Sequence, residues 1–155
     1  MSDLREYISQ VKKINELKTI KTKVSTKYEI AGITAKVDQS HAVLFENIKE
    51  SDFRLISNLV GTRKRFALAV GGTENNIHQK VISAIKNAKT PKIVPTGKFM
   101  ENKSKNIYSM PIVTHFEKES GPFITSSVAY AKNPETGTQN LSFHRMMPID
   151  KTHLS

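Results

Sequence analysis

Residues 124–149 read ITSSVAYAK, NPETG and TQNLSFHRMMPI in succession, and they decide the fold of the second half of the chain. Two runs rich in β-branched and aromatic residues flank a turn with Pro134 early and Gly137 late, the pattern of a β-hairpin. Side chains alternate along a strand, so Asn140, Ser142 and His144 share one face of the second strand, and Leu141, Phe143 and Arg145 share the other. Arg145 is the odd residue of an apolar row. Its planar fork suits a phosphate or carboxylate if it is even partly buried, and reaches solvent if the strand is an edge. A lone hairpin is marginal in water. No further strand-like run follows it before Ser155, so the expectation is a β-domain that begins here and is unfinished.

Upstream the text is different. Asp3 and Glu6 have N-cap and N3 spacing, and Leu4, Ile8, Val11, Ile14 and Leu17 follow at helical intervals, predicting a first helix. LKTIKTKVS (17–25) reads as a strand. Thr26 and Glu29 repeat the cap spacing ahead of Ile30, Ile33 and Val37, predicting a second helix from Thr26. HAVLFENI (41–48) has the short apolar run of a buried strand, and FRLISNLVG (53–61) gives another. Thr62 caps a short helix over 63–70 that Gly71-Gly72 would end, with Phe66 facing the core. Thr73 opens a fourth helix with Ile77, Val81, Ile82 and Ile85 on one side. Pro91, Pro95 and Gly97 then break the pattern, and MENKSKN (100–106) is a polar connector. The expected organisation is α+β: an N-terminal α/β domain over 1–105, then 106–155 as the start of a separate β-domain.

The chain has 155 residues, a formal charge of +10 and no cysteine, which excludes disulfide scaffolds, thiolate zinc sites and cysteine nucleophiles. Residues 111–155 hold four basic and four acidic side chains, so the whole excess lies in 1–110. A basic half invites an RNA-binding reading, but most of its lysines are interleaved with apolar residues as on solvated faces, and the one tight cluster is Arg63-Lys64-Arg65. The longest run without a polar side chain, Phe66 to Gly72, is far short of the ~20 residues of a membrane helix. The amino terminus lacks a signal pattern, which makes the cytoplasm the expected address.

Catalytic motifs are sparse. The five histidines form no His-x₃-His or HExxH pair, so an independent metal centre is not expected. Ser142 and His144 lie two apart without a nucleophile elbow. Glu117 and Glu119 precede a Ser-Gly-Pro turn and read as a solvated loop. Gly71-Gly72 lacks the following Lys-Ser of a phosphate loop.

Longer stretches carry a resemblance. LREYISQVKKINELKTIKTKVSTKYEIAGITAKV, VLFENIKESDF and NLVGTRKRFALAVG resemble the opening of the UbiD-type decarboxylases, the 3-octaprenyl-4-hydroxybenzoate carboxy-lyase family, which uses prenylated FMN. HFEKESGPFITSSVAYAKNPETGTQNLSFHRMMPIDK looks like the start of their split-barrel flavin-binding domain. The most specific piece is GPFIT, NPETG and N-x₄-R in that order.

The resemblance implies roles in a non-oxidative decarboxylation of an unsaturated or aromatic carboxylic acid. Asn140 matches a ligand of Mn²⁺ that bridges to the flavin phosphate. Arg145 matches the catalytic arginine near the flavin ring and the substrate carboxylate. Phe143, His144 and Arg145 line the prenylated flavin, and Thr125 and Ser142 match further cofactor-binding positions. THFEKESGPFITS and SFHRMMPID look closest to the archaeal-type branch, for which an isoprenoid-pathway acid such as an anhydromevalonate phosphate is the implied substrate. A flavin prenyltransferase would supply the cofactor, and full-length members are expected to be homo-oligomers.

Asn140 and Arg145 are five apart, so an ideal strand aims them at opposite faces and a bulge is needed to reconcile them. Family members are also much longer, and the remaining metal ligands and the glutamates that partner the arginine find no match here. One neutral amide oxygen cannot hold Mn²⁺. The chain alone is therefore expected to be inactive: half of a split enzyme whose complementary chain carries the rest of the decarboxylase, a truncated gene product, or an excised fragment. The rival readings are a non-catalytic assembly subunit of a split enzyme and a basic RNA-binding module.

Overall fold

Asp3 opens the first helix as its spacing requires. Its carboxylate accepts the Glu6 backbone N–H at 2.8 Å, and helix α1 runs Leu4–Lys13. The computed structural model describes residues 3–90, 92–97 and 100–155; Pro91, expected to break the helical pattern, lies outside them. Tyr7 and Val11 form the buried side of α1, while Leu4 is exposed. The Tyr7 hydroxyl sits within hydrogen-bonding distance of the carbonyls of Leu59 (3.0 Å) and Arg65 (2.9 Å), tying α1 to a segment more than fifty residues away.

Strand β1 (Leu17–Ile20) pairs in parallel with β2 (Ala42–Phe45) in the register Leu17 to Ala42, and β2 pairs antiparallel with β3 (Leu55–Ser57). Helix α2 (Glu29–Lys36) lies between β1 and β2 in sequence. β2 is central and reads as an unbroken apolar run because both its faces are covered. Val43 and Phe45 join Val24, Ile30, Ile48 and Val113 in the main core. Ala42 packs on the other side with Tyr7 and Val11. The architecture is mixed α+β. No helix among the described residues is long and apolar enough to cross a membrane.

Several boundaries differ from expectation. The strand predicted over 17–25 stops at Ile20, and Val24 makes only an isolated bridge to Ile48. Helix α2 starts at Glu29 rather than after a Thr26 cap. Thr26–Tyr28 are kept out of the helix by Thr114, whose N–H donates to the Thr26 carbonyl (3.1 Å) and whose carbonyl accepts the Tyr28 N–H (3.1 Å), and Tyr28 turns the chain at φ +70°. Glu29 instead accepts the Ser25 N–H at 2.7 Å and pairs with Lys49 at 3.0 Å.

Helix α3 (Arg63–Ala69) is capped by Thr62 as expected, and Gly71, at φ +67°, follows its end in the left-handed conformation that glycine tolerates. Helix α4 (Ile77–Lys86) starts later than Thr73, which donates its N–H to the Asn76 side chain at 2.7 Å. Its expected apolar side exists, but only Ile77 is buried; Ile85 is 73% exposed.

The largest correction concerns the basic cluster. Phe66, expected in the core, is 40% exposed, and its neighbour Arg65 is wholly buried. Arg65 Nη1 donates to a Glu16 carboxylate oxygen (3.0 Å) and to the Ser40 carbonyl (2.9 Å), and Lys64 takes the other Glu16 oxygen at 2.7 Å. Arg63 donates to the Glu74 carbonyl at 2.9 Å. All three cations are thus engaged inside the chain.

Two predictions follow from this pair. Glu16→Ala strands a buried guanidinium and is expected to cost about 3–5 kcal/mol, read as a lower urea midpoint with an unchanged slope. Burial pushes the Glu16 carboxyl up, but the hydrogen bonds of Lys64 and Arg65 outweigh it and hold its pKa below the ordinary value. The unfolded chain therefore takes up this proton first as pH drops. The pair's contribution is complete above about pH 5 and is lost as pH falls through the lowered folded pKa. Glu16→Gln flattens that limb of the stability profile; an unchanged acid limb would refute the assignment.

Candidate functional site

The expected hairpin is present as β4 (Ile124–Lys132) and β5 (Gln139–Met146). Its turn is built locally. The Asn133 side chain accepts the N–H groups of Glu135 (2.8 Å) and Thr136 (2.9 Å), and Gly137 takes φ +72°. The Gly137 N–H returns to the Asn133 carbonyl and the Asn133 N–H to that of Thr138, both at 2.9 Å.

The ladder is regular from Lys132–Gln139 to Ser127–His144 and then slips, since the next pair is Ile124–Met146. Thr125 and Ser126 thus stand against Arg145 alone, the two-for-one count of a β-bulge. The bulge that the N-x₄-R spacing called for exists, but in β4. β5 itself keeps strict alternation, and Asn140 and Arg145 remain on opposite faces.

Asn140, Ser142 and His144 share the first face, paired with Ala131, Ala129 and Ser127. Ser142 Oγ lies 2.8 Å from His144 Nε2, and Ser127 Oγ donates to the His144 carbonyl at 2.6 Å. The second face carries Leu141, Phe143 and Arg145 beside Tyr130 and Val128. This face is open: Phe143 is 87% exposed, and Leu141, Tyr130 and Val128 are also exposed. The Arg145 guanidinium carbon lies 4.8 Å from the centroid of the Phe123 ring. Sequence reasoning passed over Phe123, although GPFIT contains it; its role depends on register, which spacing alone does not give.

The structure thus brings Phe143 and Arg145 onto one face and Ser142 and His144 into contact on the other, with Thr125 at the bulge. It does not bring Asn140 to Arg145. For a metal the residues do not fit: among the described residues no three His, Asp or Glu side chains gather where an ion could sit, and Asn140 offers one neutral oxygen. For a flavin they make one apolar wall with a cation at its edge, where an enclosed ligand needs several walls.

Other polar clusters are structural. Glu119 accepts the His115 N–H at 2.8 Å and closes the 115–119 turn. Asp150 is held below the ordinary carboxylate range first by the Thr152 N–H and then by His153, in a turn whose ends pair Met147 with Ser155. An apolar recess of about 490 Å³ lies between the start of α3 and α4, lined by Val60, Phe66, Ile77, Val81 and Ile82, and does not include the hairpin.

Comparison with known proteins bears on the whole chain. The family model of the 3-octaprenyl-4-hydroxybenzoate carboxy-lyase N-terminal domain matches residues 8–85, and that of the Rift-related domain of the same carboxy-lyase matches 88–155. The chain is 30% identical over 152 residues to the anhydromevalonate phosphate decarboxylase of Methanothermobacter thermautotrophicus, covering 98% of this chain and 35% of that one. It superposes with TM-score 0.90 and 27% identity on the UbiD-class enzyme HmfF from Pelotomaculum thermopropionicum in complex with FMN, covering 96% of this chain and 35% of that one. An evolved dimeric form of the same enzyme in complex with prFMN gives TM-score 0.86 and 27% identity, covering 96% of this chain and 36% of that one. The chain therefore spans about a third of the length of such relatives. In sequence and in fold it belongs to the UbiD carboxy-lyase family, of which it represents the N-terminal part.

Proposed function

We propose that this chain supplies the N-terminal α/β portion and one flavin-facing wall of a prenylated-FMN-dependent decarboxylase, acting without net oxidation on an unsaturated or aromatic carboxylic acid. The observation that carries the reading is the open face of the hairpin, where Phe143 and Arg145 stand two residues apart on an exposed apolar plane. An apolar plane suits a flavin ring, and a guanidinium beside it suits the carboxylate of a substrate lying on that ring. Structures of one relative, HmfF, in complex with FMN and prFMN support the cofactor. When bound, prenylated FMN supplies an electron sink for the pair left by departing CO₂.

The chain's own residues have narrower tasks. Arg145 orients the substrate carboxylate, Phe143 excludes water from the ring, and His144, Ser142 and Thr125 shape the surrounding backbone. Asn140 becomes a Mn²⁺ ligand only if side chains from another segment complete a hard oxygen set, so no step is assigned to the ion. Two archaeal relatives, from Methanothermobacter thermautotrophicus and Methanosarcina mazei, are anhydromevalonate phosphate decarboxylases and support an isoprenoid-pathway acid as substrate. The open face equally favours a complementary polypeptide that closes the barrel, whether this chain is then part of the catalytic centre or an assembly subunit. Cofactor supply by a flavin prenyltransferase belongs to the same reading.

The isolated chain is expected not to retain prenylated FMN with Mn²⁺ on a sizing column, and tight stoichiometric co-elution would overturn the one-wall reading. Because Phe143 packs against little in the chain itself, Phe143→Ser is expected to change unfolding free energy by less than about 0.5 kcal/mol. Phe45→Ala, in the core, is expected to cost about 3–5 kcal/mol in the same denaturation assay.

A further inference from the structure

We infer that Phe123 is a positioning residue for Arg145, brought to it by the bulge at Thr125–Ser126; the inference rests on the reading of Arg145 as the carboxylate-binding cation. Register makes the case. Had β4 and β5 stayed regular beyond Ser127–His144, Phe123 would stand opposite Pro148, on the face of His144 and Met146. The extra residue moves Ile124 opposite Met146, so continuing the ladder sets Phe123 against Met147. That is the face of Arg145, two positions away, within the diagonal reach of an aromatic ring. The guanidinium carbon duly lies 4.8 Å from the ring centroid, inside the range of a cation–π contact.

The ring is itself anchored. Phe123 donates its N–H to the Val113 carbonyl at 3.1 Å and forms an antiparallel bridge with that residue. Val113 is buried in the main core with Phe45 and Ile30. Among the described residues Arg145 makes no ion pair. The aromatic ring is therefore what fixes the guanidinium before any anion arrives, and it links that cation to the core of the N-terminal half. A guanidinium so restrained loses less freedom when it meets a carboxylate.

The test is nuclear magnetic resonance on the full 155-residue chain. The Arg145 δ-methylene protons are expected upfield of their unperturbed position through the Phe123 ring current. Phe123→Leu should abolish the displacement and Phe123→Tyr should keep it, with the amide signals of β4 and β5 unchanged in both. A wild-type chain without the displacement, or a Phe123→Leu chain that retains it, overturns the proposal whatever the folding of other variants. Sodium benzoate, with sodium chloride as control, is then titrated against the Arg145 Nε–H signal. Saturable movement whose midpoint rises several-fold in Phe123→Leu and returns in Phe123→Tyr supports positioning for a carboxylate. No movement with the ring-current displacement intact sinks the carboxylate reading of Arg145 and leaves its fixation by Phe123 standing.

Discussion

The N-terminal half depends on a buried cation. Arg65 enters the protein with no exposed surface and is held by one carboxylate oxygen of Glu16 and the carbonyl of Ser40. Glu16 immediately precedes β1 and its own carbonyl accepts the Ala42 N–H at 2.9 Å, at the start of β2. Tyr7 completes the cluster from α1 through the Arg65 carbonyl. One residue, through its side chain and its carbonyl, thus fixes the relative positions of α1, the first two strands and α3. Both acceptors are reached from Nη1 alone, and an ammonium in its place would be more strongly hydrated and more costly to bury. Arg65 Nε and Nη2 find no acceptor among the described protein groups, so the arrangement fixes geometry more than it adds stability.

From that scaffold a chain of backbone contacts leads to the hairpin. Thr114 pairs with the Thr26–Tyr28 segment, Val113 fills the core, and Phe123 bridges to Val113. The base of β4 is therefore attached to the α/β core, while its far end extends away with an uncovered apolar face. That face belongs to a chain that spans about a third of the length of its relatives.

Legibility in the sequence followed the range of the interaction. Asp3, Thr62 and the Asn133–Gly137 turn were readable because each bonds within three or four residues of itself. The start of α2 was not readable, because Thr26–Tyr28 are held out of the helix by Thr114, nearly ninety residues later. Nor could spacing choose between Arg65 and Phe66 for the interior. Adjacent helix positions point in different directions, and the choice turned on a carboxylate at Glu16 that only the fold brings near. At the candidate site, Asn140, Phe143 and Arg145 were identified by resemblance, and their division between two faces followed from alternation. The place of the bulge, and with it Phe123, did not.

The sequence by itself determined the elements, the hairpin, the family and the expectation that one wall of a site lies near the carboxyl end. These rest on local spacing and on residue order, which a linear text carries. Tertiary structure alone decided which cation is buried, where α2 begins, and which strand takes the extra residue. Each of those outcomes is a competition between partners distant along the chain, and a one-residue slip in pairing is enough to send an aromatic ring to the opposite face of a strand.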